Sequence, residues 1–386
     1  MIYVNSKKEK ILFIVTSVYM LNFFLIPHLR TLSNFFDITL LLKNDAPEIL
    51  NKITLPIKII EIPIERKISI IKDITALFWI FKICKKNKFK SVHTLTPKAG
   101  LLGMIGAFLA RIPIRIHTFQ GEVWSNKTGI IKFLLKNLDR LIVFCSTEIL
   151  IVSSTERLFL INEKILFNRQ SLVLGSGSIG GVDVKKFKIN NKIKKELRKK
   201  NNFTSQDLVF LYLGRICKDK GLIDLANAYL TLLKKYEKIK LIFIGPAEDN
   251  TLENLKKIFL DKFEDKVFFK SFTNEPEKDL LLADVFVLPS YREGFGVSVI
   301  EAASLGIPSI GSNIHGIQDA IIDNETGFLY KVKDQYDLSV KMEYFIKYPL
   351  LRKEMGLNAK KRVEKEFTQE IILSKFINYY KSLIIN

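Results

Sequence analysis

Two glutamates eight residues apart, Glu293 and Glu301, sit in the stretch LPSYREGFGVSVIEAASLGIPSIG, residues 288–311. The spacing predicts a strand at Val285–Leu288, a polar turn over 290–293, two glycines at Gly294 and Gly296, and a helix over about Val297–Leu305. Gly306 then supplies a left-handed stop, Pro308 blocks continuation, and the next strand starts at Ser309. A glycine turn that opens a helix leaves backbone N–H groups without partners at the positive end of the helix dipole. Such a turn after a strand is a site for an anion, and the glycines let a ligand approach the backbone. Glu293 lies in the turn, where a carboxylate can meet hydroxyl groups. Glu301 lies about two helical turns further on, roughly 10–12 Å away at 1.5 Å per residue. The pair can therefore contact both ends of an extended ligand with its anionic centre between them. The bland alternative is an ordinary strand–turn–helix unit with two solvated glutamates.

A second cluster follows another apolar run, Leu208–Leu213. There Gly214-Arg215 and Lys220-Gly221 bracket a turn before a helix expected from Leu222. Two cations at the end of a strand suit a diphosphate: arginine gives a forked contact and lysine a point charge.

Both clusters resemble the retaining glycosyltransferases of the GT-B fold, family 4 type, with their Glu-x7-Glu motif and G-R-x4-K-G segment. The resemblance covers nearly the whole chain and is strongest over residues 208–330. It implies an α/β architecture, the GT-B fold, with two Rossmann-like parallel-sheet domains facing a central cleft. It implies that Glu293 and the Phe295-Gly296-Val297 backbone hold the transferred sugar, that Glu301 holds the nucleotide ribose, and that Arg215 and Lys220 stabilise the departing nucleoside diphosphate. The expected donor set is Gly214, Arg215, Lys220, Phe272, Glu293, Gly294, Phe295, Gly296, Val297 and Glu301, with Glu293, Arg215 and Lys220 as the catalytic members. Phe272 enters by similarity to the segment whose backbone meets the base. There is no DxD sequence, so no metal and no cofactor are expected. The two cations and the helix N-terminus would carry the electrostatic work instead.

The first half also resembles this family, in members that build bacterial surface polysaccharides. Its matching loops are His93–Gly100, in which Thr94 or Thr96 could cap the following helix, and Arg115–Trp124. The resemblance implies acceptor and cleft roles for Lys98, His117, Gln120 and Gly121. The chain departs from the pattern at Gln120, where many members carry histidine. Glutamine donates hydrogen bonds but does not exchange protons near neutral pH. His117, three residues earlier, is the other candidate, and a core-edge position is its competing reading. Leu174–Phe187 resembles the family's G-V-D…F segment. Its four glycines in seven positions suggest a flexible loop over the cleft, with a phosphate nest as the alternative.

The elements that must position these residues follow from the apolar pattern. Continuous apolar runs at 11–16, 38–42, 57–62, 91–94, 114–118, 149–153 and 172–174 read as strands buried on both faces of a parallel sheet. A chain of 386 residues with 48% hydrophobic content supports two such domains. The expected division is residues 1–190 as the acceptor and membrane-side domain, 191–205 as a polar linker and 206–360 as the nucleotide-sugar domain. Residues 361–386 would form a C-terminal helix crossing back to the first domain. Ile11–Pro27 follows a basic N-terminus and could be weighed as a signal anchor, but it is short and carries Thr16, Ser17 and Asn22. A first parallel strand is the favoured reading. Cys84, Cys145 and Cys217 are scattered and support neither a disulfide framework nor a zinc site.

The net charge of +20 is unevenly placed. Residues 1–190 hold 28 lysines and arginines against 13 acidic residues, and residues 191–200 hold six against one. Residues 201–386 are balanced at 26 each. An anionic partner for the first half follows, with a lysine-rich genome as the bland alternative. The segments 66–90 and 130–140 set aromatic and aliphatic residues beside lysines, as suits an anionic membrane surface.

The reading that results is a retaining hexosyl or N-acetylhexosaminyl transferase. It would use a nucleotide sugar, UDP-linked by preference, and a lipid-diphosphate-linked glycan acceptor for O-antigen, capsule or lipopolysaccharide assembly. It would sit peripherally on the cytoplasmic face of the inner membrane and bind no nucleic acid. A GT-B-fold sugar-nucleotide epimerase and a non-enzymatic polyanion-binding protein are the alternatives.

Overall fold

The computed structural model describes residues 8–66, 69–166, 171–259 and 263–385. The chain divides into two compact units: residues up to 180 together with 370 onward, and residues 181–369.

The first unit is built on β1 (Lys10–Ile14), β2 (Asp37–Leu42), β3 (Lys58–Glu61), β4 (Ser91–Leu95), β5 (Ile114–Phe119), β6 (Glu148–Ile151) and β7 (Ser171–Val173). Their order across the sheet is β3-β2-β1-β4-β5-β6-β7, and every pairing is parallel. The strands fall where the apolar runs predict them. Leu12, Ile14, Leu41 and Val92 are buried and pack under the helices Ile70–Asn87 and Pro97–Leu109. The Ile11–Pro27 segment enters the centre of this sheet as β1 and then turns helical from Val18. Among the described residues no helix is long and apolar enough to cross a membrane. The helix Gln369–Ile384 belongs to this unit for nearly all its length: Tyr380 Oη lies 2.5 Å from His93 Nδ1, and Phe376 meets the His28 ring edge-on at 4.7 Å.

The second unit holds β8 (Leu208–Leu213), β9 (Ile239–Ile244), β10 (Val267–Lys270), β11 (Val285–Leu288), β12 (Ser309–Ser312) and β13 (Gly327–Tyr330). The order is β10-β9-β8-β11-β12-β13, again wholly parallel. In each sheet the strand order reverses once, between β1 and β4 and between β8 and β11. Ligands of open α/β sheets bind at the carboxyl ends of the strands flanking such a reversal.

The expected linker is not one. Asn191–Lys200 is an α-helix of the second unit, with the Asn190 side chain accepting from Ile193 N–H at 3.0 Å. Lys194 and Arg198 bind Asp284 at 3.3 and 3.0 Å. Lysine, glutamate and leucine are good helix formers, so polarity here marks a solvated helix face and not an irregular segment.

Candidate functional site

The second unit brings the two predicted clusters together, because β8 and β11 are the neighbours that flank the reversal. From β8 the chain runs through Gly214 and Arg215 into a 3₁₀ turn at Lys218–Lys220, then a left-handed Gly221 (φ 63°), then the helix Leu222–Leu233. From β11 it runs through Pro289 and the polar turn to Gly296 (φ 84°), which opens the helix Val297–Ser304. Two glycines let these turns close on each other. A Cβ on Gly221 would lie 2.0 Å from Pro289 O, and one on Gly316, after β12, would lie 2.6 Å from Gly294 O. Polar contacts lock the approach. Tyr291 N–H donates to Asp219 O at 2.8 Å, Tyr291 Oη donates to Asp224 at 2.7 Å, and Arg292 binds Asp219 at 3.1 Å.

Lys220 Nζ makes an ion pair with Glu293, and Ser290 Oγ donates to the same carboxylate at 3.1 Å. Arg215 pairs with Glu248, and Tyr212 Oη donates to Arg215 O at 2.7 Å. The Arg215 side chain stays 40% exposed, whereas Lys220 and Glu293 are mostly buried. Burial pulls the Arg215 pKa down, but Glu248, Cys217 and Glu293 together offset it, so the group is held above its usual range. Phe295 points into the core against Phe367 at 5.3 Å, which leaves only its backbone for a ligand. Gly294 and Val297 flank it in the turn and the first helical position. Glu301 is half-buried on the helix. Burial raises its pKa to about 7, Lys186 acts to lower it, and Glu277 acts to raise it. Phe272 follows β10 and is partly exposed.

The acceptor-side residues of the first unit are less uniform. Lys98, in the first turn of Pro97–Leu109, binds both oxygens of Asp73 at 2.9 Å. Gln120 follows β5, with its Nε2 buried and without a hydrogen-bond partner among the described residues. Gly121 has φ 90°, and its N–H donates to buried Glu156. His117 is a correction: it is 1% exposed inside the sheet, with Nδ1 2.8 Å from Thr94 Oγ1, and burial pushes its pKa down to about 3. It is a neutral core residue because β5 directs it under Gly100, whose missing side chain makes the room. Thr94 is spent on that contact. Thr96 occupies the cap position but makes no capping hydrogen bond; its hydroxyl lies 3.2 Å from Thr16 Oγ1. The glycine-rich segment after β7 is pinned in place, since Ser178 N–H donates to Val152 O at 2.7 Å and Ile179 is buried.

The two basic amphipathic segments are the helices Ile70–Asn87 and Gly129–Cys145. Lys67 and Ile68 of the first lie outside the described residues. Pro97–Leu109 packs between the two helices. Together they leave Ile71, Phe78, Leu109, Ile131 and Phe144 exposed, and Phe108 meets Phe144 at 5.7 Å. Lys82, Lys85, Lys86 and Lys88 are exposed on the same helix end.

Sequence reasoning missed several supporting groups. Ser290 lies three residues before Glu293, close enough for the turn to suggest it. Glu248 and Lys186, from loops, and Glu277, from the short helix Pro276–Leu280, are far in sequence from the residues they act on and leave no local signal.

Two parallel Rossmann-like sheets with cations and a glycine-opened helix at one reversal define a GT-B-type nucleotide-binding enzyme. The chain matches the family described as glycosyl transferases group 1 over residues 193–362, and glycosyl transferase 4-like over residues 10–146. The capsular polysaccharide biosynthesis glycosyltransferase CapM of Staphylococcus aureus is 33% identical over 325 residues, 84% of each chain. The UDP-Gal:alpha-D-GlcNAc-diphosphoundecaprenol alpha-1,3-galactosyltransferase of Escherichia coli is 30% identical over 309 residues, 78% of this chain and 77% of that one. Anabaena Alr3699/HepE, solved with UDP and glucose, superposes with a TM-score of 0.81 over 97% of this chain and 100% of its own, at 17% identity, which speaks to the fold alone. The protein belongs to this glycosyltransferase family.

Proposed function

We propose that the protein transfers a hexosyl or N-acetylhexosaminyl group, with retention, from a UDP-sugar to a lipid-diphosphate-linked glycan. The acceptor class rests on relatives such as the Escherichia coli galactosyltransferase, whose acceptor is an alpha-D-GlcNAc-diphosphoundecaprenol. The product would be a capsule- or O-antigen-type glycan. The observation that carries the donor side is the meeting of Lys220 and Glu293 at the β8/β11 reversal, with Arg215 beside them.

In the reaction an acceptor hydroxyl oxygen bonds to the anomeric carbon on the face that the diphosphate leaves, as the bond from that carbon to the diphosphate oxygen breaks and the hydroxyl proton passes to the departing diphosphate oxygen. Negative charge grows on the leaving diphosphate. Arg215 and Lys220 are the cations in position to stabilise it, together with the N-terminus of Val297–Ser304, and no metal is invoked. Glu293, oriented by Ser290 and Lys220, accepts hydrogen bonds from the sugar hydroxyls. Glu301 accepts from the ribose. Lys98, Gln120 and Gly121 are proposed to contact the acceptor. His117, neutral and enclosed, supplies no proton, which weighs against an epimerase. The apolar face and its lysines support a peripheral position on an anionic membrane, taken as the cytoplasmic face of the inner membrane.

The test is a thermal-shift panel with UDP, GDP, ADP, CMP and NAD, without added metal. A ligand at 100 times its Kd stabilises the fold by about 2.7 kcal/mol. A shift with one nucleoside diphosphate, UDP by preference, that disappears in Glu301→Ala is the expected result. No shift with any nucleoside diphosphate would overturn the donor assignment.

A further inference from the structure

Glu301 does not stand alone on its helix. The segment Asp183–Phe187 runs alongside: Ser304 Oγ lies 3.4 Å from Phe187 O, and the side chain of Ile189 lies against Gly306. That segment is a hydrogen-bonded turn. Asp183 Oδ1 accepts from the Lys185 and Lys186 N–H groups at 3.0 and 3.2 Å, and Phe187 N–H donates to Asp183 O at 2.8 Å. The turn aims Lys186 at Glu277 of the helix Pro276–Leu280, with Nζ 3.3 Å from Oε2. Lys186 and Glu277 are the two charged groups that act on Glu301, in opposite directions.

A half-buried carboxyl beside a second carboxyl tends to keep its proton, because burial and the like charge both disfavour ionisation. A protonated Glu301 has lost acceptor capacity that a ribose diol would use. We propose that Lys186 is a positioning residue that keeps Glu301 ionised for the nucleotide ribose, against the opposing charge of Glu277. The ion pair of Lys186 with Glu277 offsets that second charge and keeps a cation within electrostatic reach of Glu301. The inference rests on the donor reading given above, and it adds two residues to the site that set nucleotide affinity as a function of pH. The bland alternative is a half-exposed ion pair of little consequence.

The experiment is isothermal titration of UDP, or of whichever diphosphate the thermal panel selects, into wild type, Lys186→Met, Lys186→Arg, Glu277→Gln and Glu301→Gln from pH 5.5 to 9. Titration of the diphosphate itself is common to all five proteins and cancels in the comparison. In Lys186→Met the pH at which affinity rises should move up by about one unit, since a neighbouring charge moves a carboxyl pKa by about that much or more. Binding at pH 7 should fall several-fold and recover at pH 9. Glu277→Gln should move the profile down, and Lys186→Arg should restore it. Glu301→Gln should bind weakly without the wild-type pH dependence. Opposite shifts from two neighbouring substitutions are not what a loss of local structure would produce. A pH-independent loss in Lys186→Met, or unchanged profiles in both Lys186→Met and Glu277→Gln, would overturn the proposal and leave the donor site standing. Failure of wild type to bind any of UDP, GDP or ADP would bring down the donor reading and this inference with it.

Discussion

The Glu293 carboxylate meets a cation, Lys220, and a hydroxyl donor, Ser290, so its orientation is set by the protein itself. Lys220→Ala removes the ion pair and the proposed diphosphate cation together. Loss of a preorganised charge of this kind costs about 10²–10³ in turnover, whereas Ser290→Ala removes one hydrogen bond to the carboxylate, worth about 1.5 kcal/mol, or roughly tenfold. Steady-state transfer assays with circular dichroism as a fold check would separate the two, and normal turnover in Lys220→Ala would sink the diphosphate assignment. A second residue-scale expectation concerns Asp139. Burial raises its pKa to about 7, the Trp124 N–H at 2.6 Å acts to lower it, and Glu122 acts to raise it. The folded state therefore keeps a proton that the unfolded chain releases near pH 4, and stability falls as pH rises between those values. In Asp139→Asn the amide oxygen still accepts from Trp124. The variant should gain on wild type from pH 5 to pH 8, by on the order of 2–4 kcal/mol at the upper end. Thermal melts at pH 5, 6.5 and 8 would check this, and a constant difference would count against it. The placing of Arg215, Lys220, Glu293 and Glu301 on two strand–turn–helix units was legible because their spacing is local to a turn or a helix. Glu248 was not, because it meets Arg215 from a loop 33 residues away.

At the scale of elements, what could be read was whatever the chain repeats locally. Parallel strands buried on both faces are continuous apolar runs, so β11 and β12 begin where the sequence places them and Gly306 ends the intervening helix at φ 71°. The helix Asn191–Lys200 was misread because a lysine-rich surface helix and a linker share a composition; only the meeting of Arg198 with Asp284 separates them. The roles of the glycines were hidden for a similar reason. Gly221 is visible as a helix stop or start, but its closeness to Pro289 O belongs to the fold. Adding a methyl there forces two turns apart and strains a left-handed backbone. Gly221→Ala should destabilise by about 2 kcal/mol or more and should weaken nucleotide binding further, because the β8 and β11 turns are the two halves of the site. Urea unfolding paired with nucleotide titration would measure both. Unchanged nucleotide affinity in a destabilised Gly221→Ala would show that the turn contact is structural only.

For the molecule as a whole, charge and apolar exposure fall together. The excess of positive charge lies before residue 201, and the widest run of exposed aliphatic and aromatic residues lies on three adjacent helices of the first unit. Ile71 at 81%, Phe144 at 70% and Ile131 at 57% exposure are costly in water without something to cover them. Exposed apolar side chains beside lysines suit the proposed position in the headgroup boundary of an anionic membrane. Each lysine near an anionic leaflet adds about 1 kcal/mol, so Lys82, Lys85, Lys86 and Lys88 together supply about 4 kcal/mol. The attraction decays over about 8–10 Å at physiological salt. The protein should therefore pellet with vesicles containing anionic phospholipid, pellet less with purely zwitterionic ones, and be released by 0.5 M salt, roughly the range where the screening length drops toward 3 Å. Ile71→Ser combined with Ile131→Ser and Phe144→Ser alters only exposed side chains, so the fold should survive while pelleting falls even at low salt. Replacing the four lysines by glutamine should remove the salt dependence but leave residual apolar binding. Pelleting that ignores salt, lipid charge and the serine variant alike would mean that this face covers a protein partner or a second copy, and the membrane reading would have to be given up.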